Sequence, residues 1–259
     1  MEKNDAIVGN FTVSNKRLGK GSSATVYLGK HRTENYDVAV KKFELTSEDK
    51  HLRKRAEREI QILQSLQHTN IIHLYEIVRD KFHNDIYLFL EYCPHGSLHT
   101  FLGKGGYLEE NQARLLFHQL AGALKHLYDR NIYHRDIKPH NLLLSSTFQL
   151  KIIDFGFSTL QNRHSFKRIC GSPLYMAPEM IHTNEYHILS DLWSLGIILY
   201  EILFGQHPFP KMKHFSEFTK FMSKPFLITL PPVKRPLQSQ PSMSCLNLLR
   251  RLLTNNPLF

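Results

Sequence analysis

The sequence predicts an α+β fold in two lobes: a β-rich N-terminal lobe with one long helix, then a mainly helical C-terminal lobe. Three observations predict it. The first ninety residues hold short β-branched and aromatic runs separated by turn residues. One stretch with 3.6-residue apolar spacing interrupts them, between Ser47 and Leu66. After Gly96 the pattern turns helical.

The elements follow in order. Phe11 to Leu18, Thr25 to Lys30 and Val38 to Phe43 read as strands. The helix over Ser47 to Leu66 carries its apolar stripe on Leu52, Ala56, Ile60 and Leu63. Ile72 to Val78 and Ile86 to Leu90 read as two more strands. The N-lobe thus spans about 11–90, a connection about 91–96, and the C-lobe about 97–259. The C-lobe helices are expected over Glu109 to Arg130, Ser190 to Phe204 and Ser244 to Leu253. Lys224 to Ser244 holds five prolines and reads as a surface loop, either a plain interhelical connection or a proline-rich docking segment. No internal repeat divides the chain.

Composition narrows the class. The 259 residues are 42% hydrophobic and 22% charged, enough to bury a core and too apolar for a disordered chain. The start, Met1 to Asp5, is polar with no apolar run behind it, unlike a secretory signal, and Glu2 excludes an N-myristoyl glycine. The longest apolar stretch, Leu192 to Phe204, is broken by Ser194, Gly196 and Glu201 and is too short to span a bilayer; it reads as a buried helix. Cys93, Cys170 and Cys245 are odd in number and lack CxxC spacing, which favours reduced thiols in the cytoplasm or nucleus. The formal net charge is +10, but no arginine-rich tail or basic-aromatic repeat accompanies it, so a nucleic-acid partner would rest on net charge alone. The sixteen histidines are dispersed; His95 and His99 are spaced to chelate a metal, against the reading of scattered surface imidazoles.

Chemistry concentrates in a few segments. Leu18-Gly19-Lys20-Gly21-Ser22-Ser23-Ala24-Thr25-Val26 leaves one strand and enters another, and its glycines would let backbone N–H groups approach phosphate. In Val38-Ala39-Val40-Lys41, alternation puts Ala39 and Lys41 on one strand face, a small apolar residue beside a cation. Glu59 borders the buried stripe of the long helix, three residues after Ala56 and four before Leu63. A carboxylate there needs a cation, and Lys41 is the natural one. Glu57 points elsewhere. Three peptides then follow in order: His134-Arg135-Asp136 running into Ile137-Lys138-Pro139-His140-Asn141, then Asp154-Phe155-Gly156, then Ala177-Pro178-Glu179.

Together these segments resemble the eukaryotic protein kinases, over essentially Phe11 to Phe259. The resemblance implies the bilobal kinase fold, with ATP and Mg²⁺ as cofactors and proteins as substrates. It makes Asp136 the base for the substrate hydroxyl, Lys138 the residue that steadies the transferring phosphoryl group, and Asn141 and Asp154 the magnesium ligands. Lys41 and Glu59 match the ion pair that orders the ATP phosphates. Leu18, Gly19 and Gly21 match the loop over them, although Ala24 replaces the third glycine and Ser23 stands where an aromatic is common. Val26, Ala39 and Leu143 match the residues that sandwich adenine, Leu90 the gate to the back pocket, and Glu91 to Cys93 the hinge. His134, Phe155, Leu63 and Leu74 match a stacked apolar spine. The helix beginning at Asp191 resembles the one whose aspartate braces the catalytic loop.

Lys138 and the Gly171-Ser172-Pro173-Leu174-Tyr175 segment resemble serine/threonine rather than tyrosine kinases, with Ser172 able to bridge Asp136 and Lys138. The Asp154 to Phe157, Cys170 to Met180 and Leu246 to Pro257 segments resemble the Unc-51-like, autophagy-initiating kinases; polo-like kinases are the near alternative. An inactive scaffold kinase would lack part of the set Lys41, Glu59, Asp136, Asn141 and Asp154, and a small-molecule kinase would lack the docking loop. Phe157 implies serine over threonine. His140 and Ser97, where arginine-directed kinases carry glutamates, imply no strong need for upstream arginine. Arg135 implies an anion from the activation segment. Arg168 occupies a position often held by a phosphorylatable threonine, which leaves either no such phosphate or one on Ser165. In similar kinases a buried glutamate at Glu179 pairs with an arginine just past a segment like Asn256-Pro257. The chain ends at Phe259 before one appears, so the expectation is a truncated domain with a weakened C-lobe. Regulatory partners and an autophagy role are not implied by these residues.

Overall fold

A computed structural model describes the chain except for residues 1–4, 22, 46–48, 81, 104–105, 161–164, 168–169, 184, 188, 210–214, 223–239 and 255–259, with 165–167, 182 and 215 described in their backbone alone. The N-lobe is a six-stranded antiparallel sheet of β1 (Ala6–Val8), β2 (Phe11–Lys20), β3 (Thr25–His31), β4 (Asp37–Phe43), β5 (Leu74–Asp80) and β6 (Asp85–Glu91). Their order is β1-β2-β3-β4-β6-β5. Helix α1 (Lys50–Gln64) lies between β4 and β5 in the chain and buries Ala56, Glu59, Ile60, Ile62 and Leu63. Alternation splits the sheet into two faces. Val38, Val40, Phe11, Val13 and Phe89 form a small separate cluster on one side, with Phe11 and Phe89 stacked at 4.0 Å. The other side joins α1 and the main core.

Two strand expectations change. The lobe gains β1, which pairs with β2 from Ala6↔Val13 to Val8↔Phe11; its three residues are too few for a periodicity to register. Ile72 is not in β5. Its N–H bonds Ile152 of the C-lobe at 3.0 Å, and Ile152 N–H bonds the carbonyl of Asn70 at 2.9 Å, so this segment stitches the lobes together. Asn70 adds a bond from Nδ2 to the Leu150 carbonyl at 2.9 Å.

The C-lobe is built on α2 (Leu98–Gly103), α3 (Glu110–Tyr128), α4 (Pro178–Thr183), α5 (Ser190–Phe204), α6 (Phe215–Met222) and α7 (Met243–Leu252). Helix α3 opens on a capping box between Glu109 and Gln112, and α7 on Ser242, whose Oγ accepts the Cys245 N–H at 3.2 Å. Helix α5 is buried on nearly every side, as its apolar sequence requires. It ends at Gly205, at φ 68°. Gly196 lets α7 come close: a Cβ there would lie 2.8 Å from Leu252 and Leu253 side-chain atoms. The proline-rich stretch falls mostly outside the described residues, and its last two positions, Met243 and Ser244, already belong to α7.

Three two-stranded ribbons complete the lobe: β7 (Ile132–Tyr133) with β10 (Thr159–Leu160), β8 (Leu142–Leu144) with β9 (Leu150–Ile152), and β11 (Ser165–Lys167) with β12 (Glu185–His187). The first two ribbons set the chain segments around 134–141 and 154–157 side by side under the sheet. No helix among the described residues is long and apolar enough to cross a membrane.

Candidate active site

The roof of the interlobe cleft comes from sheet register. Val26 lies opposite Lys41, Ala39 opposite Leu90, and Lys41 opposite Leu88. Directly paired residues share a face, so Val26, Ala39, Lys41 and Leu90 present one surface. Between β2 and β3, Arg17 pairs with Tyr27 and Gly19 with Val26, which leaves Leu18 as the bulged residue, 38% exposed at the rim. The loop beyond closes with Gly21 N–H on the Ala24 carbonyl at 2.9 Å, so the missing third glycine does not open the hairpin.

The connection between lobes starts at Glu91. Lys151 on β9 reaches Glu91 Oε2 at 2.8 Å, and Leu143 pairs with Lys151 across β8–β9, which brings Leu143 up beneath the connection. Cys93 is buried. Burial, reinforced by the Glu91 carboxylate, pushes its thiol up to about 12.

Lys41 is the hub of the cleft. Its Nζ contacts Glu59 Oε1 at 2.5 Å and Asp154 Oδ1 at 3.1 Å. Burial alone would lower the lysine's pKa, but the two carboxylates outweigh it and the pKa is raised. Burial would likewise raise Asp154, yet Lys41 wins there too and holds that carboxyl down at about 2. Glu57 turns outward to Arg79 at 2.7 Å, as expected. Asp154 sits in the left-handed region at φ 64° and starts a one-turn 3₁₀ segment over Phe155–Phe157.

The loop after β7 carries the second group. Asp136 is 4% exposed. Its Oδ1 accepts Ser172 Oγ–H at 3.0 Å, and its Oδ2 accepts Lys138 Nζ at 2.8 Å and Asn141 Nδ2 at 3.1 Å. Lys138 also donates to Ser172 Oγ at 2.7 Å. Ser172 therefore bridges Asp136 and Lys138, joining the segment after Cys170 to the loop. Gly171 makes that approach feasible: φ is +107°, and a Cβ would stand 2.5 Å from the Arg135 carbonyl oxygen. His134 packs edge-on against Phe155 at 5.0 Å, within the same core as Leu63 and Leu74. Asp191, 2% exposed, lies beside the phenols of Tyr186 and Tyr128 and near His134 and Arg135.

Residues expected to hold Mg²⁺ fit it chemically. Asn141 spends its amide nitrogen on the Asp136 carbonyl and carboxylate, at 2.9 and 3.1 Å, which leaves its oxygen end to serve as a hard ligand. Asp154 is ionised and its side chain is 38% exposed. His95 and His99 do not form a pair: His95 stacks on Phe148 at 3.9 Å and His99 on His140 at 3.6 Å.

Some expectations change here. Arg135 is not left facing outward for a phosphate. It sits at φ 66° and is 8% exposed. Its Nε and Nη2 donate to the Phe157 carbonyl at 2.9 and 2.6 Å. Arg55 of α1 lies over the Phe157 ring at 4.5 Å, a contact between residues about a hundred positions apart that no local pattern marks. Glu179 is not a buried orphan. It is partly exposed and accepts Ser190 Oγ–H at 2.7 Å, while Arg250 and Arg251 are exposed on α7. Glu201 is, like Asp191, a buried carboxylate without a salt-bridge partner among the described residues, and it takes the Tyr175 hydroxyl at 3.1 and 3.0 Å. Burial drives its pKa up to about 7 against that hydrogen bond. Its signal was present as the one acid inside the apolar run of α5. Ser165 is described only as backbone in β11, and Arg168, Asn256 and Pro257 lie outside the described residues.

Comparison with known proteins agrees with this geometry. The chain is 41% identical to serine/threonine-protein kinase ULK3 of Mus musculus over 246 residues, covering 93% of this chain and 50% of that protein. It is 36% identical to serine/threonine-protein kinase ATG1c of Arabidopsis thaliana over 255 residues, 97% of this chain and 34% of that one. It is 34% identical to serine/threonine-protein kinase ATG1 of Colletotrichum lindemuthianum over 303 residues, 98% and 44%. The chain spans half or less of the length of these relatives. They support the Unc-51-like reading and lend none to the polo-like alternative. The protein kinase domain family matches residues 12–258, and the chain belongs to that family of ATP- and magnesium-using enzymes.

Proposed function

We propose that this chain is the catalytic domain of an ATP-dependent serine/threonine protein kinase of the Unc-51-like group, acting on protein hydroxyls. The observation that carries the reading is a pair of continuous polar chains at the cleft: Glu59–Lys41–Asp154 across it from one lobe to the other, and Asn141–Asp136–Lys138–Ser172 on its lower side. An inactive scaffold has no need to keep both.

The mechanism follows from the residues. Val26 and Ala39 above and Leu143 below would hold adenine, with Leu90 behind and the backbone of Glu91 to Cys93 as its hydrogen-bonding edge. Leu18, Gly19 and Gly21 would cover the phosphates, and Lys41, fixed by Glu59, would grip them. Asn141 and Asp154 would hold Mg²⁺, which when bound offsets charge on the phosphate oxygens. Asp136 orients the substrate hydroxyl. As the oxygen bonds to the γ-phosphorus and the bond to the ADP oxygen breaks, Asp136 receives the proton late. Lys138 steadies the moving phosphoryl group, and Ser172 ties the substrate-docking segment, which ends at Glu179, to that centre. Asp136→Ala should lower kcat by about 10²–10⁴ in a radiolabelled phosphoryl-transfer assay with folding unchanged; undiminished transfer would refute the assignment.

Phe157, bulky and unbranched at Cβ, supports a preference for serine. A degenerate peptide library reads it directly, and a threonine preference would refute it. The Arg135 grip on the Phe157 carbonyl supports activity without an activation-segment phosphate. Ser165→Ala and phosphatase-treated enzyme should both retain most of their activity. Three scattered cysteines without CxxC spacing support a cytoplasmic location, with the nucleus as the alternative.

A further inference from the structure

Phe157 is gripped on its backbone by one lobe and on its ring by the other. Its carbonyl accepts Arg135 Nε and Nη2 at 2.9 and 2.6 Å. The residues after it are zipped to the chain that leads into the catalytic loop. Ser158 Oγ donates to the His134 carbonyl at 3.3 Å, and Thr159 and Leu160 of β10 pair with Tyr133 and Ile132 of β7. The backbone of Phe157 is therefore fixed beside the loop that carries Asp136, and only its side-chain torsions remain to be set. Arg55 reaches that ring from α1, with its guanidinium 4.5 Å from the ring centre. Arg55 precedes Glu59 by four residues, so the two share a helix face one turn apart. The approach depends on the glycine before Phe157: a Cβ on Gly156 would stand 3.3 Å from Arg55 Nη2 and 3.6 Å from Glu59 Oε2. Among the described residues Arg55 has no carboxylate within salt-bridge distance, and its buried Nε has no hydrogen-bond partner. The face of the Phe157 ring is what this cation meets.

We propose that Arg55 is a positioning residue for the choice of acceptor: by holding the Phe157 ring in one rotamer, it enforces serine over threonine. This rests on the reading of Phe157 as the source of a serine preference. Threonine differs from serine by one methyl group, on the carbon that bears the reacting hydroxyl. Rejecting a single methyl requires a wall that does not give way. A phenylalanine free to change rotamer gives way. One with a fixed backbone and a guanidinium across its face does not. Helix α1 then has two separate tasks one turn apart: Glu59 holds Lys41 for ATP, and Arg55 holds Phe157 for the protein substrate.

The test measures kcat/KM for two peptides that differ only in serine or threonine at the acceptor position, and reads their ratio. A ratio taken on one enzyme preparation is blind to changes in its stability or active fraction. Arg55→Met keeps the length of the side chain and removes its cation; the serine-to-threonine ratio should fall about 3- to 10-fold. Arg53→Met removes an equal charge from an exposed neighbour on α1 and should leave the ratio within about twofold of wild type. Arg55→Lys, which keeps a cation, should restore most of the preference. Phe157→Val puts a β-branched residue in place of the ring and should itself lower the ratio. Adding Arg55→Met to Phe157→Val should change the ratio no further, because the ring through which Arg55 acts is gone. If Arg55→Met slows both peptides equally and moves KM for ATP, Arg55 only packs α1, and the proposal is overturned. It is overturned too if Arg55→Met lowers the ratio as much without the ring as with it. A ratio moved by Phe157→Val but not by Arg55→Met sinks the proposal and leaves the serine reading standing. A ratio unmoved by Phe157→Val removes that reading and the proposal together.

Discussion

Each lobe buries a carboxylate on a fifteen-residue helix, and the two meet different partners. Glu59 on α1 is 2% exposed and holds Lys41 at 2.5 Å. Glu201 on α5 is 9% exposed and holds the hydroxyl of Tyr175. Both lose most of their hydration on burial, Glu59 the more completely. In the N-lobe Lys41 opposes the loss, yet burial still leaves the Glu59 carboxyl raised above its ordinary value, while Lys41, held by Asp154 as well, is itself raised and keeps its proton. A neutral phenol answers it only in part, so Glu201 titrates near pH 7. Burial raises both carboxyls; the partner decides what each one does, holding a lysine in one lobe and a neutral hydroxyl in the other.

The sharpest way to break the comparison is to neutralise Glu59. Glu59→Gln replaces a charge-assisted bond of about 1.5–3 kcal/mol, so kcat/KM should fall about 10- to 150-fold. Steady-state kinetics at saturating peptide would show it, and unchanged kinetics would mean that Lys41 is held well enough by Asp154.

Glu201→Gln should do the opposite, to stability rather than rate. The folded carboxyl titrates near 7, above its ordinary value of 4.5. Between those values the folded chain keeps a proton that the unfolded chain has released. Stability from this group is therefore full at low pH, falls as pH rises through the window, and is lost above about 7. Removing the titration should leave the variant more stable than wild type at pH 8, by on the order of 2–3 kcal/mol or roughly 4–12 °C in Tm, with little difference near pH 4. Equal melting shifts at both pH values would show that Glu201 stays ionised.

Glu179→Gln gives the smallest effect. Its carboxylate is partly exposed and accepts one serine hydroxyl at 2.7 Å. The expected change is at most about 1 kcal/mol, within about 2–4 °C. A larger loss would reveal a cationic partner for Glu179 that is not found among the described residues.

The sequence made some of this contrast legible and hid the rest for physical reasons. Lys41 with Glu59 was readable because strand alternation and helical periodicity each aim one residue, and a buried carboxylate demands a cation. The bridge from Ser172 to Asp136 and Lys138 was readable from resemblance. The long helices α3 and α5 appeared within two residues of their observed ends. Short elements did not: β1, the three ribbons and α4 have too few residues to show a period, and non-local pairing defines the ribbons. The placement of Arg135 on the Phe157 carbonyl was also hidden, because a backbone acceptor leaves no trace in side-chain identity. Glu201 was visible as an interruption in an apolar run, but the phenol that meets it comes from Tyr175, 26 positions earlier.

The buried thiol between the lobes bears on inhibitor chemistry. A cysteine beside the adenine region would ordinarily invite a covalent warhead. Electrophiles react with the thiolate, and a thiol pushed up to about 12 holds roughly one part in 10⁵ in that form at pH 7. Cys93 is also only 6% exposed. Selective compounds for this cleft must gain their affinity reversibly, from the shape around Leu90 and Leu143, because the sulfur beside them is chemically quiet.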